Sequence, residues 1–229
     1  MSRKNFWEFA DDFLGHRVYS ATAGSNVGHS WLIKDTSAAG TPTYASVSPS
    51  ASGEVKLAFD NTAEAQILTL YQNDVLQFDI DDILELTWRV KLGVTTINAN
   101  TTLVFGIASA ENDTMDSVAE AAWFKMDGGN STSLVVVETD DNVTNNDDIA
   151  TGKSLSSSYK DFVISFAAGK KDVKFFIDGQ PVATSTTFDM SQYTGSFQLY
   201  LQVQKGANAE TDSVVIDYVE IKGRRAGVI

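Results

Sequence analysis

The chain of 229 residues has no cysteine, two histidines and three prolines. Without cysteine there is no disulfide framework and no thiolate metal site. Two imidazoles, His16 and His29, are too few for a zinc cluster built on several histidines, and they leave a Ser-His-Asp triad little to draw on. No apolar run is long enough to span a bilayer as a helix, which predicts no membrane association. The opening MSRKNFWEFADDF turns acidic and aromatic after Lys4, and it lacks the apolar stretch and small-residue cleavage site of a secretory signal. The expectation is a chain that folds in the cytoplasm that makes it. Basic residues are scarce as well: 17 against 30 acidic, a formal charge of −13. Such a surface repels phosphate backbones, so nucleic acid is not an expected partner.

Apolar residues make up 43% of the chain, enough for a sizeable core. Their spacing is two, in short runs broken by Gly, Asn, Asp and Ser. In the clearest run Leu84, Leu86, Trp88 and Val90 alternate with Glu85, Thr87, Arg89 and Lys91, the pattern of a strand with one face on a core and one in water. Similar runs are HSWLIKD (29–35), GEVKLAF (53–59), AQILTLY (65–71), TTLVFGIAS (101–109) and TSLVVVET (132–139). Further along come KDFVISF (160–166), VKFFIDGQPV (173–182), GSFQLYLQV (195–203) and SVVIDYVEI (213–221). Asp178-Gly179 inside VKFFIDGQPV is a hairpin signal, because the turn needs backbone that Gly adopts freely.

Many short strands separated by turns predict an all-β antiparallel sandwich, a jelly roll. The segment 111–124 reads as a short helix or as a loop crossing one sheet face. The stretches 35–53 and 139–154 read as long exposed loops. No repeat or linker divides the chain, so the expected organisation is one domain over 11–229 with an anchoring arm over 1–10.

One stretch frames the functional question. FDIDDILELTW (78–88) holds Asp79, Asp81, Asp82 and Glu85, which are either a sugar-cleaving set or the polar mouth of a strand. Short acidic side chains bond their own backbone in turns, so the three aspartates read as a turn feeding a strand with Glu85 on its outer face.

In order along the chain, DDFLG (11–15) with Trp31, GEVKLAF, LELTWRVKL (84–92), FFIDGQPV (175–182) and VVIDYVEI (214–221) resemble strands of the concanavalin A-like lectin/glucanase superfamily. That resemblance covers most of the chain and implies a jelly roll of two curved antiparallel sheets. The glucanase signature is E-x-D-x-(x)-E on one strand, where alternate residues face one cleft and two carboxyls stand about 5 Å apart. No register of 78–88 satisfies it. In the segment where the resemblance places the catalytic strand, VAEAAWFKM (118–126), Glu120 is present, but Ala122 stands in the Asp position and Phe124 or Lys125 in the acid position. The expectation is a protein that does not hydrolyse glycans in this way.

The resemblance also implies a structural calcium ion held by Asp217 and the carbonyl of Gly53, and a glycan cradle on the concave sheet with Trp123, Phe124, Tyr193 and Tyr200 as stacking candidates. Positive charge gathers at the two ends: Arg3 and Lys4 beside Phe6 and Trp7, and Arg224 with Arg225. If the first and last strands pair, these residues form a basic, aromatic foot on an acidic body, suited to docking on a large acidic assembly. Similar sandwiches opening DDFLG…W occur in tailed-phage virions, which implies a capsid decoration or accessory protein. Its partner would be the major capsid protein or another virion protein, on the capsid surface, as a homotrimer at a threefold position. The alternatives are a carbohydrate-binding module that attaches to glycans, and a divergent polysaccharide-degrading enzyme.

Overall fold

The structure is a computed structural model that describes residues 5–14, 31–47, 53–75 and 77–225. In chain order the described residues form β1 (Phe6–Asp11), β2 (Leu32–Asp35), β3 (Thr43–Ser46), β4 (Val55–Ala58), β5 (Glu64–Tyr71), β6 (Phe78–Asp79), β7 (Ile83–Leu92) and β8 (Thr101–Ala108). They continue with β9 (Glu120–Asp127), β10 (Leu134–Asp141), β11 (Asn145–Ser154), β12 (Lys160–Ser165), β13 (Lys174–Ile177), β14 (Gln180–Val182), β15 (Ser196–Asn208) and β16 (Ser213–Arg224). No helix among them is long and apolar enough to cross a membrane.

The strands build two antiparallel sheets, the sandwich that the alternating pattern predicts. The first runs β14-β13-β12-β7-β16-β4-β3 with β1 beside β16, and the second runs β11-β10-β9-β8-β15-β5-β2 with β6 on β15. Between them lies the core. Trp88 of β7 reaches across it and donates its indole N–H to the carbonyl of Gly106 in β8 at 3.2 Å. Phe105, Phe124, Phe162, Phe175 and Phe188 form a chain of ring contacts, with centroids 4.8 to 5.6 Å apart. Four of these contacts are edge-to-face and the Phe105–Phe124 pair is stacked, geometries that add to the area buried.

Local chemistry explains the turns. Asp178 and Gly179 join β13 to β14 with φ of 50° and 72°, the left-handed pair that a two-residue hairpin requires. Asp79 accepts the backbone N–H of Asp81 at 2.9 Å, and its carbonyl accepts that of Asp82 at 3.0 Å. Asp81 also pairs with Lys170 at 2.8 Å. Asp79, Asp81 and Asp82 therefore make the turn into β7, as read from the sequence, and Glu85 stands within the strand.

Three expectations are revised. The segment 139–154 is not an open loop: β11 pairs with β10 through register shifts, and those bulges let polar residues form an edge strand. The stretch 35–53 contains the short edge strand β3. The arm expected over 1–10 is, from Phe6 onward, strand β1 paired with β16, in register Phe6 to Arg224 through Asp11 to Val219. Trp7 stacks on Phe78 at 5.4 Å and donates to the Arg224 carbonyl at 2.9 Å. Its ring belongs to the packing of the domain.

Candidate functional site: the outer face of the second sheet

Strand alternation puts neighbouring residues of the second sheet on opposite faces. In β9, Ala122 and Phe124 lie in the sandwich core, while Ala121 and Trp123 belong to a separate buried cluster on the other side. The register lines up two rows on that outer face. One runs Tyr71, Tyr200, Gly106, Trp123, Glu138, and the next runs Thr69, Gln202, Val104, Lys125, Val136. Trp123 and Tyr200 sit two strands apart, yet their rings stack at 6.1 Å and 26°. Gly106, between them, makes this fit: a Cβ there would stand 2.2 Å from the Ala122 carbonyl oxygen and 2.8 Å from the Trp123 Cβ.

The expected site residues therefore divide. Phe124, fully buried against Phe105, Phe162 and Phe175, cannot touch a ligand, which corrects its reading as a stacking residue. Tyr193 packs on Phe197 at 4.7 Å and donates its hydroxyl to the Ser196 carbonyl at 2.6 Å, away from Trp123's row. Trp123 and Tyr200 do come together, but both are covered. The position assignment on β9 also shifts by one. Glu120, Ala122 and Phe124 share a parity that faces the core, so the side chains on the outer face are Ala121, Trp123 and Lys125.

Charge concentrates beside the stacked rings. Glu138 accepts the Trp123 indole N–H at 2.7 Å and the Lys125 ammonium at 2.7 Å; Lys125 also reaches Asp148 at 3.2 Å. Burial raises the Glu138 carboxyl above the usual range, with Lys125 and Trp123 pulling the other way. Burial works against the Lys125 charge, but Glu138 and Asp148 outweigh it and hold the amine above the usual lysine range. Asp140 is raised too, by burial and by the charges of Asp147, Asp141 and Glu120. These groups and Trp123 line an open cavity of about 290 Å³.

The connection 109–119, between β8 and β9, folds back over this face as a strap. Its base closes where Ser109 donates its hydroxyl to Glu120 at 2.6 Å. Asn112 offers its carbonyl to Gln202 Nε2 at 2.9 Å and to the Tyr200 hydroxyl at 3.4 Å. Lys34 of β2 holds Glu111 and Asp113, each at 2.8 Å. Met115 and Val118 pack on the cluster of Trp123 and Tyr200. Of the two sequence readings for this segment, the loop crossing a sheet face is the one that forms, with a single 3-10 turn at Met115–Ser117. Sequence reasoning missed Lys34, Thr69, Gln202 and Glu138. Their signal was polar residues at alternate positions of otherwise apolar strands.

The metal and docking candidates lie elsewhere. Asp217, at a bulge in β16, pairs with Arg89 Nε at 2.8 Å, and Arg89 also holds Asp161 at 2.8 Å. Gly53, with φ of 77°, presses on the backbone of Asp12–Leu14, where a Cβ would meet the Asp12 carbonyl at 2.2 Å. Asp217 is thus paired with a guanidinium, while Gly53 lies against the N-terminal segment. Among the described residues no group of three or more His, Cys, Asp or Glu could hold a metal ion. Of the expected foot, Phe6 is 38% exposed beside exposed Arg224 and Arg225, whereas Trp7 is turned inward. Arg3, Lys4, His16 and His29 lie outside the described residues.

No protein-family model and no curated protein matches the chain. Solved structures do. A protein of unknown function from Shewanella oneidensis MR-1 superposes with a TM-score of 0.61 at 13% identity, over 98% of this chain and 89% of that one. A Bacteroides ovatus mixed-linkage glucan GH16 protein in complex with its G4G4G3G product gives 0.61 at 12% identity, over 93% and 99%. The carbohydrate recognition domain of Emp47p gives 0.57 at 12% identity, over 96% and 98%. The fold is a concanavalin A-like jelly roll, an architecture used by lectin domains and by glycan-active enzymes alike.

Proposed function

We propose that this protein is a carbohydrate-binding jelly roll that recognises a glycan on the outer face of its second sheet and does not cleave it. The observation that carries the reading is the content of that face. Trp123, stacked on the covered Tyr200, lies beside hydrogen-bonding carboxylates and a lysine at a cavity of about 290 Å³. Sugars are bound by this combination, because their C–H faces pack on aromatic rings and their hydroxyls need paired donors and acceptors. The lectin and glucan-bound neighbours add a fold-level analogy.

Glucanase-type cleavage is disfavoured by β9, the strand on which that signature would lie. A retaining glycosidase needs two carboxyls about 5 Å apart across the bond, and β9 presents Ala121, Trp123 and Lys125 to the outer face. Glu138 is tied up by Lys125 and Trp123. A glycan array with the intact protein tests the reading: specific retention that disappears in Trp123→Ala supports it, and an array without any retained glycan contradicts it.

A second reading rests on a different surface. Phe6, Arg224 and Arg225 stand together at one end of the first sheet, on a molecule of net charge −13. Such a patch suits docking to an acidic assembly such as a phage capsid, with the protein as a decoration protein. Arg224→Glu with Arg225→Glu should abolish co-sedimentation with empty phage heads, and undiminished decoration would end this reading.

A further inference from the structure

Two polar side chains under the strap, Thr69 and Gln202, and one on it, Glu111, are buried with incomplete pairing among them. Thr69 and Gln202 have no exposed surface, although both sit on the outer face of a sheet where water or a ligand would ordinarily meet them. Gln202 spends its amide on the Thr69 hydroxyl and the Asn112 carbonyl, each at 2.9 Å, and its own Oε1 has no partner. Glu111, on the strap, has one oxygen on Lys34 and the other buried without a partner. Buried polar atoms are nearly always paired, and orphaned acceptors mark a cover that fits imperfectly.

Resting on the carbohydrate reading, we infer that the strap 109–119 is a stand-in for the ligand, lying on part of the glycan-binding platform and displaced when a glycan binds. Its groups match what a neutral sugar chain would bring. The Asn112 carbonyl gives an acceptor oxygen to Gln202 and Tyr200, as a sugar hydroxyl would. Met115 and Val118 lay an apolar surface on the Trp123–Tyr200 stack, as a ring face would. A neutral chain is favoured over an acidic one because Glu138, Asp140, Asp147 and Asp148 crowd the open cavity beside the strap, against Lys125 alone. Displacement extends that cavity from Trp123 over Tyr200 and Gln202. The latch is Lys34 with Glu111 and Asp113, two ion pairs at the strap's far side that touch neither ring. An internal competitor lowers apparent affinity by the fraction of molecules in which it is seated.

The test releases the latch and leaves the platform alone. Glu111→Gln with Asp113→Asn removes both ion pairs, and Lys34→Met removes them from the other side. Acrylamide quenching of Trp123, taken as the difference from a Trp123→Phe protein, is measured without ligand. Affinity electrophoresis then follows retardation by mixed-linkage β-glucan, xyloglucan and galactomannan. The inference predicts that both variants expose Trp123 to the quencher and bind at least one of these polymers about three- to tenfold more tightly than the unmodified protein, as the loss of two partly exposed ion pairs allows. Unchanged quenching, with the same retardation in all proteins, overturns the inference and leaves the binding function standing. Increased quenching without retardation of any protein overturns both.

Discussion

Trp123 and Phe124 are adjacent in β9 and almost equally buried, at 4% and 0% exposure, yet they belong to different kinds of interior. Phe124 is enclosed by other rings contributed by both sheets. Trp123 is enclosed by a loop that bonds through one carbonyl, one backbone N–H, two carboxylates and a few apolar contacts. The first interior is closed by surfaces that cannot separate without unfolding the sandwich. The second is closed by a segment that can lift while the sheets stay together. Low exposure alone does not distinguish a core from a covered binding face; what does the covering decides.

Substituting the two neighbours is the sharpest way to break that comparison. Phe124→Ala should cost about 3–5 kcal/mol of unfolding free energy, because rigid neighbours leave a cavity unfilled. Chemical denaturation measures it, and glycan affinity of the folded fraction should not change. Trp123→Ala should cost less, roughly 1–3 kcal/mol, since the strap can settle into the space. It should also remove glycan retention. If the two costs are equal, the outer face is as rigid as the core and the distinction fails.

Smaller effects refine the picture. Lys34→Met should lower stability by about 1–2 kcal/mol, because the nearly buried Glu111 carboxylate loses its partner. It should also raise amide hydrogen exchange over 110–118 while β8 and β9 stay protected. A larger loss would mean that the latch holds more than the strap. The smallest effect concerns pH. Burial raises the Glu138 carboxyl above its ordinary 4.5, so in the window from 4.5 up to its folded value the native state binds more protons than the unfolded chain. Stability from this group therefore falls as pH rises through that window and is recovered on acidification. Glu138→Gln should flatten this segment of a stability-against-pH curve, and a curve that keeps its slope would place the titration elsewhere.

Much of the scaffold was legible because a strand with one face on a core writes itself as alternation. Leu86, Trp88 and Val90 are buried against the partner sheet as their spacing requires, and Asp178-Gly179 makes the turn its chemistry demands. Register was less legible. A one-residue slip moves every side chain to the other face, and in AEAAWFKM small and apolar residues occupy both parities, so the pattern could not say whether Trp123 or Phe124 faces outward. Strand β11 was missed because NNDDIATGKS has the composition of a loop; its pairing comes from β10 and from bulges, which are tertiary facts. The cover over the outer face depends on Lys34, Asn112 and Gln202, distant in sequence and joined only by the fold.

The central claim, that a glycan is held on the outer face of the second sheet and left intact, is tested most directly by one paired experiment. Purified protein and Trp123→Ala are titrated calorimetrically with a panel of β-glucan, xyloglucan, galactomannan, alginate and agar, and each mixture is then assayed for new reducing ends. The account predicts saturable heat for at least one polymer with the unmodified protein, none with Trp123→Ala, and no new reducing ends in either. New reducing ends, or binding that survives the loss of Trp123, would contradict it.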